Sequence, residues 1–200
     1  MRDDLTEALR GGAGGGAASE RAAARLAAEA ERRRLVDVAY ATVDSPLGPL
    51  HAAGTPRGLV MLAYGDVPID ERLERLAREL SPRILEAPAR LDPVRRQLDE
   101  YFEGRRRRFE VPIDWSLLRG YTREVLGRTA EIPYGRSSTY AEIASRAGSP
   151  RGWRAAGNAL GANPMPIVVP CHRVLASSGR IGGYTGGVDR KRFLLGLEGV

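Results

Sequence analysis

The chain has 200 residues and a single cysteine, Cys171, followed directly by a histidine. A lone cysteine cannot close an intrachain disulfide, so no disulfide framework shapes this fold. His51 and His172 are its only histidines, too few to build a zinc site of the usual Cys/His kind, and neither metal nor cofactor is expected. Cys171 is therefore a small buried hydrophobe or a nucleophile, and its neighbours decide which. A cysteine nucleophile works as the thiolate, whereas a free thiol with a pKa of ~8.5 is mostly protonated at neutral pH, so a base must take the proton. His172 is adjacent, yet consecutive side chains on an extended strand point to opposite faces. Direct contact between thiol and imidazole is not expected.

Residues Asn163 to Val174 carry three prolines and an apolar run, which predict an extended, buried approach to Cys171. Within them, Pro170-Cys171-His172-Arg173-Val174 resembles the signature of the O6-alkylguanine-DNA alkyltransferase family, the methylated-DNA–protein-cysteine methyltransferases. Ile132-Pro133-Tyr134-Gly135, Ser138-Thr139-Tyr140-Ala141 and Arg154-Ala155-Ala156-Gly157 follow that family's order and spacing. So do Asn163-Pro164, Tyr184-Thr185-Gly186-Gly187 and the closing Leu195 to Gly199. The resemblance runs from about Leu91 to Val200. It is looser from Val36, where Ser45-Pro46-Leu47-Gly48-Pro49 is similar to a turn of the family's first domain, and it does not cover residues 1–34.

The resemblance implies irreversible transfer of an alkyl group from O6 of guanine in double-stranded DNA to Cys171, once per chain and without a cofactor. O4-alkylthymine is left open as a second substrate. In the implied site a water bridges Cys171 to His172, while Glu198 orients and charges the imidazole. Tyr140 donates to ring N3, the Thr185 amide faces O6, and the carbonyls of Val174 and Cys171 read the exocyclic amine. Tyr184 and Pro166 complete the substrate pocket, and Asn163 is a hinge residue. The base is turned out of the stack, with Arg154 filling the space it leaves from a helix in the minor groove. Thr139, Arg151, Ala155 and Gly157 are implied on the DNA-facing side. A helix pair read without the family would point to the major groove. Trp153 departs from the family, standing where relatives carry a small residue; Leu126 and Thr122 replace a usual tryptophan and glutamine.

The elements that must position these residues read as an α/β (α+β) chain. A ribonuclease-H-like unit with a small antiparallel sheet is expected over 35–114, followed by a helical, winged-helix-like unit with a helix-turn-helix over 115–200. Strands are predicted at Val36 to Val43, Leu50 to Ala53, Gly58 to Ala63 and Arg106 to Ile113. Helices are predicted at Pro68 to Leu80, Pro93 to Phe102 and Tyr121 to Ala130, then as a pair over Thr139 to Ala147 and Gly152 to Gly161. Gly11 to Gly16 reads as a flexible link, and Ser19 to Arg34 as a helix with only Leu26 and Leu35 to bury, a loosely docked extension.

The formal net charge is +6, carried almost wholly by arginine, since Lys191 is the only lysine. Such a balance suits a polyanionic partner, although a compositional bias toward Ala, Gly and Arg would produce it too. The run Arg105 to Arg108 reads as a solvated turn. Acidic Asp3, Asp4 and Glu7 stand where a secretory leader would be basic, so a cytoplasmic monomer is expected. Two rival readings are a non-reactive lesion-binding module, which the cysteine argues against, and a cysteine hydrolase, which would need Cys171 and His172 in direct contact.

Overall fold

A computed structural model of the protein describes residues 13–33 and 35–200. Helix α1 (Ala13–Arg32) opens it. Gly14 to Gly16, expected in a flexible link, lie inside this helix, because the alanines that follow favour helix enough to carry three glycines. Residues 11, 12 and 34 of the predicted link and helix lie outside the described residues. Ala27 is the buried side chain among those described in α1, packed on Ala39, Leu85 and Ala87, while Leu26 and Leu35 are exposed.

Strands β1 (Val38–Val43), β2 (Leu50–Thr55) and β3 (Gly58–Tyr64) form an antiparallel meander, with Ala41 facing Ala52 and Ala52 facing Leu62. Helix α2 (Ile69–Glu79) follows, and its Leu76 packs with Val38, Ala53 and Val60 on one sheet face. Strand β4 (Ile84–Glu86) then pairs in parallel with β1, giving the sheet order β3-β2-β1-β4. Helix α3 (Pro88–Phe102) covers the other face through Leu91, Val94 and Leu98. With both faces covered, β3 is almost continuously apolar rather than alternating.

Three details of this half differ from expectation. The sheet is mixed, because its fourth strand is β4, too short to stand out by composition. The segment Arg106 to Ile113 is not a strand; it touches the sheet through one parallel bridge between Leu59 and Ile113. Helix α3 begins five residues early, since Pro88 occupies the first turn, where a missing N–H costs nothing, and Pro93 is tolerated inside. The edge of β3 is covered by the rest of the chain: Leu59 N donates to Pro112 O at 2.8 Å and Leu62 N to Pro164 O at 2.8 Å. A covered edge is closed to further strands.

The second half contains α4 (Gly120–Ala130), β5 (Ser138–Thr139), α5 (Tyr140–Arg146) and α6 (Trp153–Gly161). A 3-10 turn (Cys171–Arg173) leads into β6 (Val174–Leu175), and α7 (Val188–Glu198) ends the fold. Thr139 caps α5 in a reciprocal box, accepting from Glu142 N at 3.2 Å while the Glu142 carboxylate accepts from Thr139 N at 2.9 Å. Parallel pairing of Ser138 with Val174 brings the start of α5 beside the cysteine turn. One buried cluster runs through both halves, from Leu50, Leu62 and Leu98 to Leu126, Ile143, Met165 and Leu194. Among the described residues, no helix is long and apolar enough to cross a membrane.

Candidate active site

The approach to Cys171 is coiled, not extended. Val169 N donates to Met165 O at 2.8 Å, closing a turn in which Ile167 sits at φ 73°. That left-handed backbone is strained for a β-branched residue and is held by complete burial of the side chain. Cys171 and His172 are consecutive residues of a 3-10 turn, so the strand argument for opposite faces does not apply. Among the described residues, no hydrogen bond joins thiol to imidazole.

Asn163 organises the turn with three bonds. Its Oδ1 accepts from Met165 N at 3.0 Å, and its Nδ2 donates to Val169 O at 2.8 Å and to Cys171 Sγ at 3.1 Å. Burial pushes the Cys171 thiol up to about 11, against the opposing pull of the Asn163 bond and the nearby Lys191 charge. At that value the thiol is neutral at pH 7.

His172 is fully buried, with Nε2 2.9 Å from Glu198 Oε1. Burial alone would raise the Glu198 pKa, yet bonds from His172, Arg173 and Tyr101 hold it at about 2. An ionised carboxylate only accepts, so Nε2 carries a proton, and in the neutral imidazole Nδ1 presents a lone pair. Nδ1 is buried and has no hydrogen-bond partner among the described residues. Burial also lowers the His172 pKa, against the opposing pull of the Glu198 carboxylate.

Glu198 is shared more widely than a base-orienting pair requires. Arg173 grips it twice, Nε to Oε2 and Nη2 to Oε1, both at 2.8 Å, and gives Nη1 to Ile132 O at 2.5 Å. The Tyr101 hydroxyl, from α3 in the first half, donates to Oε1 at 2.6 Å. Much of the carboxylate charge is thus neutralised by Arg173, so Glu198 orients the imidazole more than it charges it.

Cys171 lies at a cleft of about 810 Å³ lined by Tyr140, Trp153, Arg154, Gly157, Tyr184 and Thr185, among others. Its lining atoms are mainly apolar, which suits a planar aromatic guest. Tyr140 packs its ring over Gly157 and Gly182 and directs its hydroxyl toward Gly183 O at 3.4 Å. Tyr184 is pinned by Tyr64 through a 2.9 Å hydroxyl pair. A Cβ at Gly186 would lie 2.2 Å from the Tyr64 ring and 2.9 Å from that of Tyr184, so only glycine admits this packing. Thr185 bonds through Oγ1 to Gly161 O at 3.0 Å.

Most residues singled out from the sequence converge here, with exceptions. Pro166 is buried and lines a separate cleft of about 330 Å³ with Met61, Arg72 and Asn163, not the one holding Cys171. The Val174 carbonyl is engaged by Lys191 Nζ at 2.6 Å. Arg151 and Ala155 are exposed on or beside α6 without lining the cleft, and Thr139 serves as a helix cap. Leu126, in place of an expected tryptophan, is fully buried. Sequence reasoning passed over Arg173, Tyr101 and Lys191. Lys191 is fully buried with its pKa lowered by burial to about 8, and as the only lysine in an arginine-rich chain it carried a readable signal. Tyr101 carried none, because its partner lies 97 positions away.

Family models for the 6-O-methylguanine DNA methyltransferase match twice, the ribonuclease-like domain over residues 38–115 and the DNA binding domain over 120–200. The methylated-DNA–protein-cysteine methyltransferase of Mycobacterium tuberculosis is 40% identical over 163 residues, covering 80% of this chain and 92% of that protein. The inducible enzyme of Bacillus subtilis is 37% identical over 149 residues, covering 74% and 83%. The crystal structure of the M. tuberculosis protein in complex with DNA aligns with a TM-score of 0.68 at 38% identity, covering 80% of this chain and 92% of that one. In class, then, the protein is a DNA-repair methyltransferase. It belongs to the 6-O-methylguanine DNA methyltransferase family.

Proposed function

We propose that the protein repairs double-stranded DNA by moving the alkyl group of O6-alkylguanine to its own Cys171, irreversibly and once per chain. The observation that carries this reading is the His172–Glu198 pair: Nε2–H donates to the carboxylate, so in the neutral imidazole Nδ1 is a buried lone pair, unpartnered among the described residues, in the residue next to a thiol that burial keeps neutral. A water held between them would pass the thiol proton to Nδ1. The thiolate then attacks the alkyl carbon, an S–C bond forms, and the C–O6 bond breaks. The electron pair passes to guanine, whose developing charge the Tyr140 hydroxyl would stabilise by a hydrogen bond to N3; the freed purine takes up a proton from solvent, and the proton held by His172 is released to solvent in turn. A thioether is a poor leaving group, so the chain does not turn over.

The lesion reaches Cys171 only outside the stack. Arg154, at the cleft mouth, would fill the gap, with Arg151, Ala155 and Gly157 along the groove. Thr185, Tyr184 and the Cys171 carbonyl would frame the base, and Val174 O would offer its second lone pair to the exocyclic amine. We assign residues 35–114 to a supporting unit and 115–200 to the acceptor and DNA-binding unit, in a monomer working in the reducing cytoplasm.

The test is to incubate the protein with a duplex containing O6-methylguanine and to weigh it intact. One methyl group per chain is expected, on the Cys171 peptide, and none in Cys171→Ser. Repair of many lesions by one chain would overturn the mechanism. Arg154→Ala should slow repair in duplex more than reaction with free O6-benzylguanine.

A further inference from the structure

The first residue of α6 is Trp153, half exposed (50%) at the cleft mouth, and its neighbour is Arg154. Adjacent helical side chains do not normally face one another. Here they do: the Arg154 guanidinium lies over the indole, 4.8 Å from the ring centroid. The contact is possible because no helical turn precedes Trp153 to crowd its side chain. A tight turn leads directly into Trp153, with Gly152 N donating to Ser149 O at 2.8 Å and a Gly152 Cβ position only 2.4 Å from Ser149 Oγ. Arg154 makes no hydrogen bond or ion pair among the described residues, unlike Arg146, which is bonded to Glu131 at 2.5 Å, or Arg173, which is gripped by Glu198. Among the described residues, the indole is thus the partner recorded for the guanidinium.

We propose that Trp153 is a positioning residue for base extrusion: its indole holds Arg154 as a flat, pre-oriented plate at the cleft mouth, ready to enter the base stack. This rests on the function proposed above. An unrestrained arginine loses more rotamer freedom when it is fixed between bases, and a guanidinium already stacked on a ring has lost part of it. The indole supplies this restraint without hydrogen bonds that insertion would have to break.

The experiment compares repair of an O6-benzylguanine duplex with reaction of free O6-benzylguanine, and reads the ratio of the two rates. In Trp153→Ala the duplex-to-free ratio falls about two- to fivefold, the size of an exposed cation–π contact. Trp153→Phe, which keeps a ring face, restores most of the ratio. In an Arg154→Ala background, Trp153→Ala changes the ratio no further. An unchanged ratio, a raised ratio, or losses that simply multiply in the double variant would overturn the role of Trp153 while leaving the repair reaction intact. Failure of the unaltered protein to take an alkyl group from either substrate would overturn the repair reaction itself.

Discussion

At the level of single residues, the resting site is poised against its own reaction. Burial pushes the Cys171 thiol up to about 11, so at neutral pH the free protein offers little thiolate to stray electrophiles. Iodoacetamide should therefore label Cys171 slowly at pH 7, with a rate that climbs about tenfold per pH unit toward pH 11. A rate that levels off below pH 8 would mean an ionised resting thiol. Glu198 shows the opposite shift. Its folded pKa, about 2, lies below the ordinary glutamate value, so the native state binds fewer protons than the unfolded chain in the window between them. The stability it contributes is full above about pH 4.5 and is lost as pH falls toward 2, on the order of 3 kcal/mol in all. Urea unfolding across that range should show the loss, and Glu198→Gln should flatten it.

Among the elements, α5 and α6 carry the side chains proposed to face DNA, and their geometry depends on small local devices. The capping box at Thr139 fixes the start of α5 at the next residue, Tyr140. Thr139→Ala should cost about 1 kcal/mol in a denaturant titration, because the Glu142 N–H loses its acceptor. The Tyr64–Gly186–Tyr184 packing is a second device. Gly186→Ala should destabilise by roughly 1–3 kcal/mol through overpacking and slow the reaction of the free base as well as that of duplex, since Tyr184 must shift. Reaction rates with both substrates at saturating DNA would separate this outcome from a DNA-binding defect.

For the whole molecule, the two stretches matched by separate family models share one core. Leu50, Leu62 and Leu98 pack in the same cluster as Leu126, Ile143 and Leu194, and Tyr101 crosses from α3 to bond Glu198 on α7. The described chain should unfold in one cooperative step, with calorimetric and van't Hoff enthalpies in agreement. Two resolved transitions would show that the halves stand apart. Cutting between them would leave Glu198 without one of the donors that hold its charge.

What was legible in the chain alone was the chemistry and the order of its parts. One cysteine next to a histidine, in a five-residue signature, pointed to the family and to the acceptor proposed above, and apolar periodicity located the antiparallel meander, α2 and the α5–α6 pair. These are local signals, in which a residue's type and its near neighbours carry the information. Tertiary structure decided the rest. The coil before Cys171 depends on Asn163 reaching eight residues along the chain to the sulfur, which outweighs the extended preference of three prolines. The parallel strand β4 exists only because β1 offers an edge, and three residues are too few to announce it. Arg173 and Tyr101 converge on Glu198 from distant positions, and no spacing rule connects them. Composition and spacing report what each segment can do, whereas burial and long-range pairing determine which charges survive inside the fold and which proton can move.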